Sequence, residues 1–297
     1  MSDAPPAVLE RVETIRSNGL DHAVHRFEVG GAAARPTILL LHGFLDSAKT
    51  FDLLAAPLAR AGFSVVAPDF RGFGQSSRVP EGGYYHFADY VADLDGILRV
   101  VAPERLSIVA HSMGGSVATL YAGARPDTVE KLVIMEGLGP ISDPPEMAVD
   151  RMRRWLSDLI RIERTPRPLR SIDDAIDRLA VTHPRVDRKI LASRAPRLVV
   201  QAPDGSLRWA WDPLHRSISP TPFNADIFAA FLRSITCPTL FLHGGPTGWH
   251  PPDEEQRLAQ IAKLERVEIP DAGHMMHWTA PDAVAKEIIR FVTTRYE

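Results

Sequence analysis

Ser112 ends an apolar run and opens a helical pattern in LSIVAHSMGGSVATLYAG (106–123). Ala110, Gly114 and Gly115 surround it with small residues. A strand that turns sharply into a helix needs such neighbours, because larger side chains would collide. The pattern is G-x-S-x-G with alanine in the first glycine position, the form of a nucleophile elbow. It lifts a hydroxyl above the strand end, at a helix N-terminus that favours developing negative charge. Alone, the pattern also fits an N-cap serine on an ordinary strand–helix unit.

Two further segments supply what a serine nucleophile needs. LLLHGF (39–44) ends a second apolar run in His42-Gly43. The backbone N–H groups of Phe44 and Met113 are the expected donors to a tetrahedral oxyanion, where losing one donor costs about 10²–10³ in rate. PDAGHMMHW (270–278) places His274 after Gly273 and before the last helical stretch. His274 is the expected base that takes the serine proton and returns it to the leaving group. His277 is the local competitor, but it falls where a helix begins. His111, next to the serine, reads as a packing or hydrogen-bonding residue of the elbow. His42, Gly43, His111, Trp209 and Trp211 are expected around the substrate pocket. His22, His25, His183 and His215 lack a supporting motif.

These residues need a sheet to converge them. The runs 37–42, 63–68, 106–111 and 131–136 are short and almost continuously apolar, which suits strands buried on both faces of a parallel sheet. Helical stretches at 50–61, 86–101 and 113–124 separate them, and residues 9–17 and 22–29 alternate like an antiparallel edge pair. The rhythm breaks after Glu136. Residues 139–222 read as helices plus a hairpin around Pro203-Asp204-Gly205. Alternation then resumes: a helix near 224–234, a strand at 238–245, a helix near 252–262, a strand and loop at 266–274, and a final helix at 281–295. The expected organisation is a core of residues 1–138 and 223–297, with 139–222 inserted as a lid over the strand ends, where open α/β sheets bind ligands.

Composition narrows the partners. The chain has 297 residues and a net charge of −3, enough for a large core and unlike a dedicated nucleic-acid binder. Seven arginines between Arg151 and Arg170 form a locally basic stretch, read as a solvated helix face. The single cysteine, Cys237, and an N-terminus without a signal-peptide pattern point to a cytoplasmic protein. No apolar run approaches the ~20 residues of a membrane span. His243, His250 and nearby carboxylates match no standard metal spacing. FRGFGQS (70–76) lacks the phosphate-loop pattern and reads as a surface loop. Monomer and homodimer stay equally open.

Taken together, HGF, PDFRGFGQSS (68–77), AHSMGG (110–115) and DAGHMMHW (271–278) resemble the α/β-hydrolase superfamily, and more narrowly its serine-hydrolase-like subgroup. DGSLRWAWDP (204–213) is similar to the lid of esterase and epoxide-hydrolase-like members. The resemblance covers essentially the whole chain outside the insertion. It implies a mostly parallel eight-stranded sheet flanked by helices, with a helical lid after strand 6. It also implies a triad acid three residues past a glycine, after the strand before the last. That position holds Thr247, in HGGPTGWHPPDEE (243–255). Asp253 and Glu254 lie further on, where a helix begins.

Glu136, at the end of KLVIME (131–136), is the expected substitute, as a similar acid position is used in many haloalkane dehalogenases. A carboxylate there is costly to bury without a partner, and His274 would provide one. Dehalogenase and epoxide-hydrolase chemistry both need a carboxylate nucleophile, so Ser112 excludes them. The expected activity is carboxylesterase-like, through an acyl-enzyme and without cofactor or metal. Thioester and C–C bond cleavage are alternatives with the same triad. A non-catalytic small-molecule receptor is the alternative of another class.

Overall fold

The computed structural model describes residues 6–30, 35–165 and 167–295. Its centre is an eight-stranded sheet. The strands are β1 (Val8–Ser17), β2 (Leu20–Val29), β3 (Thr37–Leu41), β4 (Ser64–Pro68), β5 (Leu106–His111) and β6 (Lys131–Met135), then β9 (Thr239–His243) and β10 (Leu264–Glu268). They lie in the order β1-β2-β4-β3-β5-β6-β9-β10. Strand β2 is antiparallel to both neighbours, and every other pairing is parallel. The edge hairpin β1–β2 turns at Asn18-Gly19, both at positive φ (49° and 77°).

The apolar runs behave as strands with two covered faces. Ile38, Leu40, Val65, Val109, Val133 and Leu240 point to one side. There they meet α1 (Asp52–Arg60) and α10 (Pro281–Thr293). Leu39, Leu41, Val66, Ile108, Leu132 and Phe241 point to the other, against α2 (Phe87–Val101), α3 (Met113–Ala124) and α7 (Ala225–Ser234). Successive residues thus serve opposite layers, as the period of a strand requires.

Between β6 and α7 the chain leaves the sheet. It forms α4 (Ala148–Arg161), α5 (Ile172–Thr182), α6 (Arg188–Leu198) and the hairpin β7 (Val199–Gln201)–β8 (Leu207–Trp209). This segment has a small core of its own: Leu169, Ile176, Leu179, Leu191 and Leu198, closed from below by Met275 and Trp278. Arg194 and Arg197 of α6 pair with Asp52 of α1 at 2.5 and 2.7 Å. The insertion therefore rests directly on the loop that carries His274.

Two expectations need correction. The helix read near 252–262 is only α8 (Glu254–Leu258). The amides of Gln260 and Ile261 bond back three residues, to Arg257 and Leu258, which tightens the end into turns. The FRGFGQS segment is not a surface loop. Asp69, Phe70, Arg71 and Phe73 are buried. Asp69 accepts the amides of Ala48 and Gln75, and Arg71 makes two hydrogen bonds to Asp93. The buried charges are paired, which is the condition for burying them. The short helix α9 (Met276–Thr279) completes the elements. Among the described residues, no helix is long and apolar enough to cross a membrane.

Many of the buried polar side chains are histidines. Burial holds His22, His42, His111 and His183 below the ordinary imidazole value and pushes His215 down to about 3. The unfolded chain takes up protons below 6.5, and these native imidazoles do not. Stability must therefore fall as pH drops from about 6.5, by up to ~1.4 kcal/mol per unit for each such group. His25 and His250, both raised, act in the opposite sense. Urea unfolding between about pH 6.5 and 5, above most carboxylate titration, should show this slope, and His215→Gln should reduce it. A flat profile would contradict the assignment of these groups as buried and neutral.

Candidate active site

The turn at Ser112 joins β5 directly to α3. Strand β5 ends at His111, and Ser112 adopts φ 52° and ψ −118° before α3 begins. This is a costly backbone region for a residue with a Cβ, of order 1–3 kcal/mol, and it persists only where the surroundings enforce it. Here the Ser112 amide donates to Met135 O at 3.0 Å, and its carbonyl accepts from Gly115 N–H at 2.9 Å. The glycines are needed because α3 starts so close to the sheet. A Cβ on Gly114 would lie 2.5 Å from Leu41 O, and one on Gly115 2.6 Å from Gly137 Cα.

The Ser112 Oγ lies 3.1 Å from His274 Nε2, and His274 Nδ1 lies 2.7 Å from Glu136 Oε2. With Nδ1–H donating to the carboxylate, Nε2 presents its lone pair to the serine hydroxyl. Glu136 follows β6 at a φ of 48°, and its amide extends the ladder to Leu242 O. Its side chain crosses in front of β9 to the loop after β10. Thr247 therefore has no carboxylate to supply. The loop after β9 holds the acid in place instead: the amides of Gly244 and Trp249 donate to Oε1 and Oε2 at 2.7 and 2.6 Å. Burial acts to raise the Glu136 carboxyl. The hydrogen bonds from His274, Gly244 and Trp249 outweigh it and hold the group below the usual glutamate range. Asp253 is elsewhere, paired with Arg257 at 2.8 Å.

Gly248 makes room for this carboxylate. A Cβ there would sit 1.9 Å from Glu136 Oε1. We expect Gly248→Ala to displace the carboxylate and lower kcat by about 10²-fold, the cost of an ångström-scale error in a reacting group. Steady-state kinetics on any turned-over ester would show it, and unchanged kcat would mean that the loop yields instead. The sequence signal for this cradle was the glycine density of 244–248, which carried no meaning until Glu136 was placed against it.

Sequence reasoning also missed a polar layer beneath the triad. Asp46, on the loop after Phe44, accepts from Ser47 N–H and the Thr50 hydroxyl. Its second oxygen lies 3.0 Å from His277 Nε2. The His277 ring packs 4.5 Å from that of His111, whose Nε2–H donates to the His274 carbonyl at 2.8 Å. Burial, with His277 and His274 nearby, pushes the His111 imidazole well below its ordinary range, so it donates as a neutral ring. This layer joins the three loops that carry Phe44, Ser112 and His274.

The pocket residues divide. A cavity of about 730 Å³ lies between the insertion and the core, lined by Phe44, Leu45, Trp209, Trp211, Met275 and Trp278 among others. The two tryptophans stack with centroids 6.2 Å apart. Met275, next to His274 in the chain, is on its wall, as is Phe44; Ser112 and His274 themselves are not. His42, Gly43 and His111 do not line it either. His42 is fully buried; its Nδ1 lies 2.8 Å from Gly43 O, and its Nε2 accepts the Phe70 amide at 3.0 Å. It shapes the turn into Phe44 from behind. Among the described residues, the amides of Phe44 and Met113 have no internal acceptor.

The doubly covered sheet, the elbow and the serine–histidine–carboxylate chain define an α/β hydrolase. A family model for the alpha/beta hydrolase fold matches residues 36–281. A probable serine hydrolase of Drosophila melanogaster is 31% identical over 280 residues, 88% of this chain and 82% of that one. A serine hydrolase-like protein of Danio rerio is 33% identical over 181 residues, 59% of this chain and 55% of that one. This chain thus spans about half the length of the zebrafish relative. A thioesterase domain from the curacin biosynthetic pathway superposes with a TM-score of 0.82 at 26% identity, covering 95% of this chain and 99% of that one. The chain belongs to the α/β-hydrolase superfamily, in its serine-hydrolase-like branch.

Proposed function

We propose that this hydrolase cleaves a small carboxylic ester through an acyl-enzyme on Ser112. The contact chain Ser112–His274–Glu136, at 3.1 and 2.7 Å, carries the reading. His274 Nε2 removes the serine proton as Oγ attacks the ester carbonyl. The amides of Phe44 and Met113 receive the oxyanion. The protonated imidazole gives its proton to the leaving alcohol, and the C–O bond breaks. Water then attacks the acyl-enzyme with His274 again as base, and Ser112 regains its proton as the acid leaves. Glu136 fixes the tautomer and balances the imidazolium. Residues 139–222 act as the lid, and the walls of the 730 Å³ cavity select the acyl or alcohol group.

The likeness to a thioesterase domain favours thioester cleavage as the second reading. The same groups would serve, with a thiolate as the leaving group. Nitrophenyl esters of increasing chain length, run beside acyl-CoA thioesters, separate the two. An ester preference in kcat/KM supports the first reading; a thioester preference replaces it. Turnover of neither would remove both.

A further inference from the structure

Helix α4 stands apart from the other long helices because it buries none of its residues. Val149, Met152, Leu156 and Ile160 recur at three- and four-residue intervals and so share one face. They are 59%, 44%, 51% and 89% exposed. The helix is held from its other side. Trp155 packs edge-on against Tyr84 at 5.1 Å, Arg151 bonds to Ser219 O and Asp143, and Asp158 accepts the Ile218 amide. Ile141 and Met147, also exposed, precede it. A contiguous apolar face left open to water marks a surface that something else covers.

The charge around this face points to what covers it. Residues 150–170 hold seven arginines against Asp150, Asp158 and Glu163, in a chain whose net charge is −3. A strongly amphipathic helix with an apolar stripe on one face and exposed arginines on its polar face (Arg153, Arg154 and Arg161, of which Arg153 and Arg161 also pair with Asp150 and Asp158) has the composition of one that lies in a lipid interface. A second copy of this chain fits less well, since pairing α4 with itself would bring like charges together. The helix of 14 residues is far too short to span a bilayer and long enough to lie along one. Arg161, Ile162 and Glu163, at its end, line the cavity described above.

We propose that α4 docks this protein on an anionic lipid surface. Val149, Met152, Leu156 and Ile160 enter the headgroup–acyl boundary, and Arg153 and Arg154 face lipid phosphates. Docking sets the cavity mouth against the membrane, where a hydrophobic substrate can enter without crossing water.

The test is co-sedimentation of the full chain with phosphatidylcholine vesicles, with and without about 30% phosphatidylglycerol. Binding to the anionic vesicles should exceed that to the neutral ones by about tenfold or more and weaken with added salt. Leu156→Ser/Ile160→Ser and Arg153→Gln/Arg154→Gln should each lower binding by about tenfold or more, with an unchanged thermal midpoint. The unchanged midpoint separates lost docking from lost folding. No pelleting with anionic vesicles, or equal pelleting of the variants, would overturn the proposal. So would a concentration-dependent dimer that Leu156→Ser/Ile160→Ser dissolves, which would make the stripe a contact between copies.

Discussion

Ser112→Ala is expected to lower kcat by about 10⁴–10⁶-fold, the range over which serine triads lose rate without their nucleophile. Labelling by a fluorophosphonate should vanish with it, because among the described residues no other hydroxyl is hydrogen-bonded to His274 Nε2. The fold should survive. Alanine keeps a Cβ at φ 52° and meets the same surroundings as serine. Ser112→Gly separates chemistry from strain. It should be equally inactive, yet unfold with about 1 kcal/mol more stability than Ser112→Ala, since only glycine adopts this backbone without steric cost. The serine is thus kept at a position where the fold would prefer glycine. Persistent labelling of Ser112→Ala would move the nucleophile elsewhere; equal stabilities would mean that the elbow is relaxed.

Legibility from sequence followed how far each feature depends on neighbours close in the chain. Strands covered on both faces show as continuous apolar runs, so β3, β4, β5 and β6 were readable to within a residue or two. The elbow was readable because its steric demand falls on adjacent positions. His274 was readable because a glycine and a helix start bracket it. Glu136 was reached by a different route, the family resemblance: Thr247 stands where the family's acid is expected, the end of β6 is the alternative position, and a carboxylate buried there needs a partner.

What stayed hidden depends on distant partners. Asp46 and His277 are 231 positions apart, and the pairing that explains both exists only once the strand ends converge. Gly244 and Gly248 carry no local signal of their role, because their use is to surround an oxygen that arrives from another strand. His42 and His111 were expected at the pocket because they adjoin Phe44 and Ser112. In a sharp turn, though, adjacent residues point in opposite directions, and these two point into the protein. The segment between β6 and α7 hides most, since its helices are placed by contacts with distant elements, such as the packing on Met275 and Trp278 and the Arg194–Asp52 pair, rather than by any local pattern.

Glu136→Gln is the sharpest test of the relocated acid. Its two oxygens accept from three N–H donors: Gly244, Trp249 and His274 Nδ1. Glutamine offers one acceptor oxygen and an NH₂ group that can only donate. Whichever way the amide turns, it sets N–H against N–H. Turned one way, it opposes the Gly244 amide and keeps the His274 tautomer. Turned the other, it opposes the Trp249 amide and donates to Nδ1, so the ring proton moves to Nε2. Nε2 then donates to Ser112 instead of accepting from it, and the hydroxyl has no base. In either state the imidazolium formed during attack has lost its buried counter-charge. The expected result is a fall in kcat of about 10⁴-fold with KM little changed, as when the orienting carboxylate of a serine triad becomes an amide. An unsatisfied buried amide should also cost about 1–3 kcal/mol of stability. Asp253→Asn is the contrast. It loosens the pair with Arg257, leaves the triad contacts intact, and should leave kcat near wild type. Should Asp253→Asn show the large loss and Glu136→Gln turn over normally, the loop after β9 would regain the acid, and the cradle around Glu136 would be structural only.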